Sequence, residues 1–558
     1  MISLKNFWQN GSSLLTRRQS SILSAALVIA ITYGASMVLG IFRDRLIVSH
    51  FYSCCRAHLD AYYSAFRLPD MIFQLVVIGA LSAAFIPVFS ERLNKNQKEA
   101  WHLASSLINL LLSFFLILAL VIFIGARPFS DLITGENFAS WQIDLMAQMT
   151  RVMLLAQIFF LVSNFFSAIV QSHQRFLLPS LSPIAYNLGI ILSILFLSST
   201  LGIWAAPIGV LLGAFFHLLI QVPLVFRLGF RYQFVMDWTN AGVRKVLRLM
   251  LPRTLALAAS QIEATVAVYL ATSLSPGSQT IYYLAQRLVD LPVRLVGTSV
   301  GQAALPLLSQ QAEGERQGEF KKTLKESLSQ ILFIALPVTI LFLVLRVQLV
   351  RFAYGAKSFP WEATIVTGRT LAAAVFSIFS QSGVQLLVRG FYAFHDTTIP
   401  FVISLLSVSA NILLSLLFIF TFRLGIFGLA LALSISNFLN FSLLLVMFNL
   451  KKLKFIGLGD LFQWLKMAFA SAIAGFCAWG SMRLMDSFIF QTDKVFPLLF
   501  LTIISTITGI VVYLLVAKTL HLKELAAVWG IGRRLSRWRK TLFAVEEIIE
   551  PHPAPPSI

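Results

Sequence analysis

Long apolar runs separated by short polar, mostly basic stretches set the pattern of this chain. Each run reaches about 20 residues, enough to cross a ~30 Å hydrocarbon core as a helix. About fourteen such spans are predicted, near 22–46, 62–90, 103–126, 147–171, 180–200, 203–226, 250–272, 279–308, 328–350, 364–391, 399–421, 424–448, 464–486 and 496–518. A closed barrel would need alternating strands of about ten residues. Stretches such as 103–126 are continuously apolar instead. The predicted fold class is therefore an all-α polytopic membrane protein.

The chain also repeats itself. Residues 62–68 read Tyr-Tyr-Ser-Ala-Phe-Arg-Leu, and residues 282–288 read Tyr-Tyr-Leu-Ala-Gln-Arg-Leu. In the same register Asp70 pairs with Asp290 and Gln74 with Arg294. One residue out of step, Pro87 and Ser90 correspond to Pro306 and Ser309, and further on Gly202-Ile203 corresponds to Gly425-Ile426. Matches at nearly one offset divide the chain into two equivalent lobes, 22–226 and 250–448, joined by a linker at 227–249. Six crossings per lobe return the chain to its starting side, so both lobes share one orientation about an axis along the membrane normal. A terminal helix pair, 449–519, lies outside the repeat, flanked by a basic N-terminus (1–21) and a tail (520–558).

Composition agrees with a membrane class. Hydrophobic residues make up 58% of 558, charged residues 12%, and the mean hydropathy is +0.81. A net charge of +20 would suit a nucleic-acid binder, but the Lys and Arg sit in short loops, as membrane topology requires. They gather on one side: Arg92, Lys95 and Lys98; Arg227, Arg231, Arg244, Lys245 and Arg248; Lys321, Lys322 and Lys325; Lys451, Lys452 and Lys454; and Arg533, Arg534, Arg537, Arg539 and Lys540. That bias places both termini in the cytoplasm. The closing Pro551–Pro556 segment reads as disordered. Cys54, Cys55 and Cys477 show neither metal-ligand spacing nor a disulfide framework, and Cys54 and Cys55 read as loop residues. No cleavable signal peptide is expected at the N-terminus.

Ionisable residues inside the membrane are costly and usually face a cavity or pair with each other. Span 2 carries Arg67, Asp70 and Gln74 on one helical face, and the equivalent face of span 8 carries Arg287, Asp290 and Arg294. Arg253, Glu263 and Arg369 add to the second lobe. Lined from both lobes, a cavity would be net cationic with a few acids, which suits a polyanion because guanidinium grips phosphate oxygens bidentately. The alternative is that Arg67–Asp70 and Arg287–Asp290 are structural ion pairs locking helices together. Arg43, Asp44, Arg45, Arg56, His58 and Asp60 cluster around the first external loop, against the basic bias. They would serve as substrate contacts or as a gate involving Asp60.

These residues carry a resemblance. Leu39-Gly40-Ile41-Phe42-Arg43-Asp44, Asp60-Ala61-Tyr62-Tyr63-Ser64-Ala65-Phe66-Arg67-Leu68-Pro69 and Gly79-Ala80-Leu81-Ser82-Ala83-Ala84-Phe85-Ile86-Pro87 stand in order along the first lobe. Arg175-Phe176 with Pro179, Pro183 and Asn187, then Ser260-Gln261, Arg287-Leu288 with Pro292 and Gly297, Tyr354-Gly355, Gly390-Phe391-Tyr392-Ala393 and Gly428-Leu429-Ala430-Leu431-Ala432 follow. The chain resembles the MurJ (MviN) family of lipid II flippases, in the multidrug/oligosaccharidyl-lipid/polysaccharide exporter superfamily. The resemblance implies two six-helix lobes plus a terminal pair whose groove holds a lipid tail. It implies a flippase for undecaprenyl-pyrophosphate-linked muropeptide (lipid II) in a bacterial inner membrane, working by alternating access in cell wall biogenesis. It also implies functional roles for Arg43, Asp60 and Arg287. Met37, Phe73 and Ile78 depart from it, standing where the family usually carries charge, while Arg294 and Glu263 add charge in the second lobe.

No G-x-x-x-x-G-K-[ST] motif occurs, so no enzyme activity or nucleotide cofactor is expected, and coupling to membrane potential, Na+ or H+ is left. Glu263, Asn411 and Ser415 are coupling-ion candidates, with hydrogen bonding between helices the alternative for the last two. No firm metal site is seen. The expected partners are lipid II and membrane lipids, with a monomer as the working unit, alone or within a cell-wall synthesis complex. Competing functions are a flippase for another polyprenyl-linked glycan, a superfamily antiporter, a non-transporting scaffold, and a membrane glycosyltransferase. The last lacks a large extramembrane loop.

Overall fold

A computed structural model describes residues 22–78, 85–312, 316–355, 359–488 and 495–525. Side chains are described from residue 31 onward, apart from 251–253, 255, 256, 488, 495 and 496. The N-terminus, the Gly79–Ala84 part of the third motif, the side chain of Arg253 and the tail arginines lie outside the described residues. Among the described residues every regular element is helical.

The first lobe holds α1 (Ile22–Ala65), α2 (Arg67–Phe73, continued by a π turn at Gln74–Ile78), α3 (Ile86–Lys95), α4 (Gln97–Ile124), α5 (Ala126–Leu132), α6 (Ser140–Ser172), α7 (Leu177–Leu201), α8 (Ala205–Leu219) and α9 (Val222–Arg227). The second holds α10 (Ala241–Thr272), α11 (Ser278–Pro292, continued by a π turn at Val293–Thr298), α12 (Ser299–Ala312), α13 (Gln317–Val344), α14 (Arg346–Tyr354), α15 (Trp361–Ala374), α16 (Ser377–Ala393), α17 (Thr398–Leu416) and α18 (Gly425–Lys451). α19 (Leu458–Phe488) and α20 (Val495–Thr519) form the terminal pair.

The internal repeat is visible in the element order. Helices beginning at Gln97, Ala126, Ser140, Leu177 and Ala205 recur at Gln317, Arg346, Trp361, Thr398 and Gly425, and the π turns after Phe73 and Pro292 recur with them. Local chemistry sets several starts: the Asn96 side chain accepts from Lys98 N at 3.0 Å to open α4, and Asn240 accepts from Gly242 N at 2.9 Å to open α10. The terminal pair docks on α13, where Tyr513 donates to Phe333 O at 2.7 Å and Trp464 Nε1 to Ser329 Oγ at 3.1 Å. The all-α fold of two pseudo-symmetric lobes plus a terminal pair is as predicted.

The count of fourteen spans is not confirmed among the described residues. By length and composition nine described helical stretches can cross a membrane, or ten if Trp361–Ala374 and Ser377–Ala393, bent by 41°, form one span. One of the nine, Leu177–Arg227, merges two predicted spans. It folds as an antiparallel hairpin: Ser193 Oγ donates to Ala205 O at 2.7 Å, and a Cβ on Gly189 would lie 2.5 Å from Gly213 Cα. Three other predicted spans, 22–46, 62–90 and 250–272, include residues or side chains outside the described set. Counting the hairpin as two spans and the bent pair as one gives eleven, and the three remaining predicted spans are those only partly described.

The predicted first external loop is a tight reversal between two helical segments. Ile22–Ala65 is two helical segments that meet at non-helical backbone at Cys55 (φ −146°, ψ 39°). The chain reverses there. Arg43 and Tyr63 both meet Tyr283, although 20 residues of straight helix would hold them about 30 Å apart. Cys54 and Cys55, read from sequence as plain loop residues, are joined as a vicinal disulfide at this reversal.

Two ends of the bundle can be distinguished. Glu91–Lys245 (3.3 Å), Lys452–Asp396 (2.8 Å) and Lys325–Asp460 pairs mark the basic end. The opposite end holds the α1 reversal and the starts of α6 and α11.

Candidate functional site

The lobes meet along α1 and α2 on one side and α10 and α11 on the other. At the end opposite the basic one, Asp60 reaches from the first lobe to the N-terminus of α11. Gly277, with φ +98°, precedes that helix and turns its N–H toward the carboxylate, a conformation that favours glycine. Asp60 accepts from Gly277 N, from Thr280 N at 2.8 Å and from Thr280 Oγ1 at 2.6 Å, while itself only 3% exposed. A carboxylate at a helix N-terminus satisfies free N–H groups and the helix dipole together. Gly135 N donates to Thr272 Oγ1 at 2.9 Å, Asn137 Nδ2 to Ser273 O at 2.5 Å, and Arg45 Nη1 to Phe352 O at 2.7 Å. This end is sealed between the lobes.

One layer deeper lies a charged cluster. Asp44 is fully buried and bonded by Arg43 through Nε at 3.0 Å and Nη2 at 2.7 Å. Arg43 also reaches Asn187 Oδ1 at 3.2 Å and Tyr283 OH at 3.4 Å. The other Asp44 oxygen has no hydrogen-bond partner among the described residues and lies 3.6 Å from Arg287 Nε of the opposite lobe. The Arg287 guanidinium packs over Gly40, where an added Cβ would come within 3.2 Å of it. Tyr63 and Tyr283, equivalent positions of the repeat, stack at 4.2 Å on the interface. A residue and its own repeat mate meet where the two lobes face each other.

The alternative ion pairs, Arg67–Asp70 and Arg287–Asp290, do not form among the described residues. Arg67 instead crosses to α10, donating to Thr265 Oγ1 and Gln261 O at 2.9 Å each. Asp70 accepts from Gln157 Nε2 at 2.8 Å within its own lobe. Asp290 lies 3.7 Å from Arg294, not beside Arg287 in an ion pair. Arg294 also donates to Tyr33 OH of the first lobe at 3.4 Å. Arg287, Asp290 and Arg294 keep accessible side chains, at 32%, 40% and 49%. They line one face of α11 that looks onto the first lobe through Gly40, Asp44 and Tyr33.

Arg43, Arg287 and Arg294 stand against Asp44 and Asp290, three cations to two acids. Phe73, at a position where the family usually has charge, packs edge-on against Phe160. Arg369 is exposed on α15.

The three coupling-ion candidates come together. Asn411 Nδ2 donates to Glu263 Oε1 at 2.5 Å, and Ser415 Oγ to Asn411 Oδ1 at 3.3 Å. They join α10 to α17 beside a cavity of about 360 Å³ that Glu263, Asn411, Tyr282, Gln286 and Gln381 line. Among the described residues no group of three or more His, Cys, Asp or Glu could hold a metal.

Sequence reading named Asp44 only within a cluster and gave Tyr283 no role. The signal for Tyr283 was the repeat itself, since it is the mate of Tyr63.

Residues 55–503 match a protein-family model described as lipid II flippase MurJ. Curated relatives include the probable lipid II flippase MurJ of Buchnera aphidicola subsp. Acyrthosiphon pisum (strain APS), 30% identical over 431 residues, covering 76% of this chain and 83% of that protein. Another is the probable lipid II flippase MurJ of Thermotoga maritima, 28% identical over 506 residues, covering 89% and 96%. Among solved structures, a lipid II flippase MurJ in an inward closed conformation aligns with TM-score 0.72 and 26% identity over 89% of this chain and 99% of that one. An inward-facing multidrug-resistance MATE transporter of the MOP superfamily aligns with TM-score 0.59 and 15% identity over 79% and 98%, a likeness of fold.

Proposed function

The chain belongs to the MurJ family of lipid II flippases, and from that premise we propose that it carries lipid II across the bacterial inner membrane by alternating access between its lobes. The observation that carries this reading is the accessible face of Arg287, Asp290 and Arg294 between the lobes, behind an end sealed by Asp60. Guanidinium groups that keep accessible surface can take phosphate oxygens in place of their protein partners. A packed, dry interface, as expected of a non-transporting scaffold, would have hidden them.

With the basic end cytoplasmic, the sealed end faces outward, and the headgroup enters from the inner leaflet. Opening the sealed end requires Asp60 to leave α11, and the Arg43–Asp44–Arg287 contact to part. The cluster of Glu263, Asn411 and Ser415 is the site we assign to a coupling cation, Na+ or H+. A single charge moved through 100 mV supplies ~2.3 kcal/mol, enough to bias such an equilibrium roughly fifty-fold.

The test is complementation. A bacterium depleted of its own lipid II flippase is made to express this chain. Rescue, lost on Arg287→Ala with unchanged membrane expression, is expected. No rescue by a well-expressed wild-type chain overturns the assignment.

A further inference from the structure

At the basic end, where the second lobe meets the terminal pair, a cavity of about 660 Å³ opens. Lys321, Lys322 and Lys325 enter it from the start of α13, Lys454 from the segment after α18, and Lys523 from just beyond α20. Lys325 is paired with Asp460 at the start of α19. Among the described residues the other four lysines make no ion pair, while the cavity wall carries two carboxylates, Glu326 and Glu524. Glu524 accepts from Gln463 Nε2 at 3.4 Å. Four ammonium groups converging on one recess repel each other unless an anion sits among them.

The recess has a solid back and a lipid-facing side. Phe455 is 6% exposed, and Ser329 accepts from Trp464 Nε1, closing the inner wall. On α19, which borders the recess, Leu458, Phe462, Leu465 and Phe469 are 88%, 60%, 66% and 59% exposed. Their spacing of i, i+4, i+7 and i+11 makes a largely apolar stripe running from the rim along the outside of the bundle, with the Lys466 ammonium lying over the Phe462 ring at 5.0 Å. A stripe exposed to this extent on a membrane helix is covered by acyl chains.

We propose that this cavity binds the phosphate-bearing headgroup of an inner-leaflet lipid, with the lipid's chain lying on the α19 stripe. Lysines bind phosphate as mobile point charges, and basic recesses between helix ends at the cytoplasmic surface are where anionic headgroups lodge. The leaflet rests on the orientation proposed above. The binding itself does not depend on transport. Two lipid classes share the chemistry, an anionic glycerophospholipid and a polyprenyl diphosphate, and so does a soluble phosphate.

The test titrates the purified full-length chain in detergent separately with phosphatidylglycerol, undecaprenyl diphosphate, phosphatidylcholine and inorganic pyrophosphate, read by intact-complex mass spectrometry. A Lys321→Gln/Lys322→Gln/Lys454→Gln/Lys523→Gln variant is compared with Lys98→Gln/Arg227→Gln/Arg231→Gln/Arg248→Gln, which loses the same charge elsewhere. At least one of the two anionic lipids is expected to bind the first variant about tenfold or more weakly than wild type and control, with phosphatidylcholine unaffected. Whichever lipid shows the effect identifies the source. The single variant Lys454→Glu, in the segment after α18, gives the same comparison should the quadruple variant fail to fold. Equal weakening by both quadruple variants, no anionic-lipid binding by wild type, or pyrophosphate binding as tightly as the lipids would each overturn the proposal. None of these outcomes bears on rescue of the depleted bacterium, so the two readings fail separately.

Discussion

Replacing Asp60 with alanine strips the N-terminus of α11 of three hydrogen bonds from the opposite lobe, from Gly277 N, Thr280 N and Thr280 Oγ1. Hydrogen bonds to a charged group contribute ~1.5–3 kcal/mol each, and a carboxylate at a helix N-terminus a further ~0.3–2 kcal/mol. These terms overlap, and the same groups regain water when the lobes part. The net stabilisation of the sealed state is therefore put at about 2–4 kcal/mol, a shift of roughly 30- to 700-fold in the sealed-to-open ratio. Asp60→Asn keeps one acceptor oxygen and is expected to fall between wild type and alanine. Spin labels at Glu136 and Ser275, exposed on the two lobes beside this contact, read the ratio by pulsed dipolar spectroscopy, with Cys54, Cys55 and Cys477 changed to serine. The expected result is a single short distance in the parent and a dominant longer one in Asp60→Ala. Identical distance distributions in the two proteins would refute the reasoning.

Asp44→Ala leaves Arg43 buried beside Arg287 without its carboxylate, and a loss of ~3–5 kcal/mol in thermal unfolding is expected; adding Arg43→Met should recover much of it. Glu263→Gln and Asn411→Ala should each flatten the dependence of transport on the coupling cation while leaving folding intact, measured as lipid II translocation against Na+ concentration and pH. Burial alone would raise the Asp396 carboxyl, but Lys452 at 2.8 Å and the N–H groups of Ile399 and Thr398 hold it below its ordinary value. That contribution is present above the ordinary aspartate pKa of ~3.9 and lost as pH falls through the lower folded value. The melting-temperature gap between wild type and Asp396→Asn should thus be constant above about pH 5 and close below about pH 4. Gly213→Leu, where even a Cβ would lie 2.5 Å from Tyr186 O, should cost ~1–3 kcal/mol by forcing α7 from α8, again read by thermal unfolding.

Helix class, lobe repeat and terminal pair were legible because each rests on a pattern along the chain: apolar run length, the Tyr-Tyr repeat, and runs beyond it. Helical spacing placed Arg67 with Asp70, and Arg287 with Asp290, on common faces. It could not say what lies opposite those faces. Arg67 spans the interface to Gln261 and Thr265, and Arg287 leans on Asp44, because in the folded molecule the other lobe offers partners that spacing within a helix does not reveal. Asp60 was marked by its place in the charged outer cluster and by the resemblance, yet its partners are mostly backbone N–H groups at Gly277 and Thr280, which carry no residue-type signal. The hairpin of α7 and α8 was legible as two consecutive apolar runs, whereas the vicinal disulfide and the tightness of the reversal at Cys55 were not. The reversal depends on backbone torsions that apolar periodicity does not encode.

Alternating access between the lobes is most directly tested by locking the sealed end. Asn137→Cys and Ser273→Cys place two thiols where Asn137 Nδ2 now touches Ser273 O at 2.5 Å, in a background with Cys54 and Cys55 changed to serine. Lipid II translocation is then followed in cells depleted of their own flippase, before oxidation, after it, and after reduction. Transport that stops on cross-linking and resumes on reduction is the expected result. Transport undiminished with the cross-link fully formed would contradict passage between the lobes.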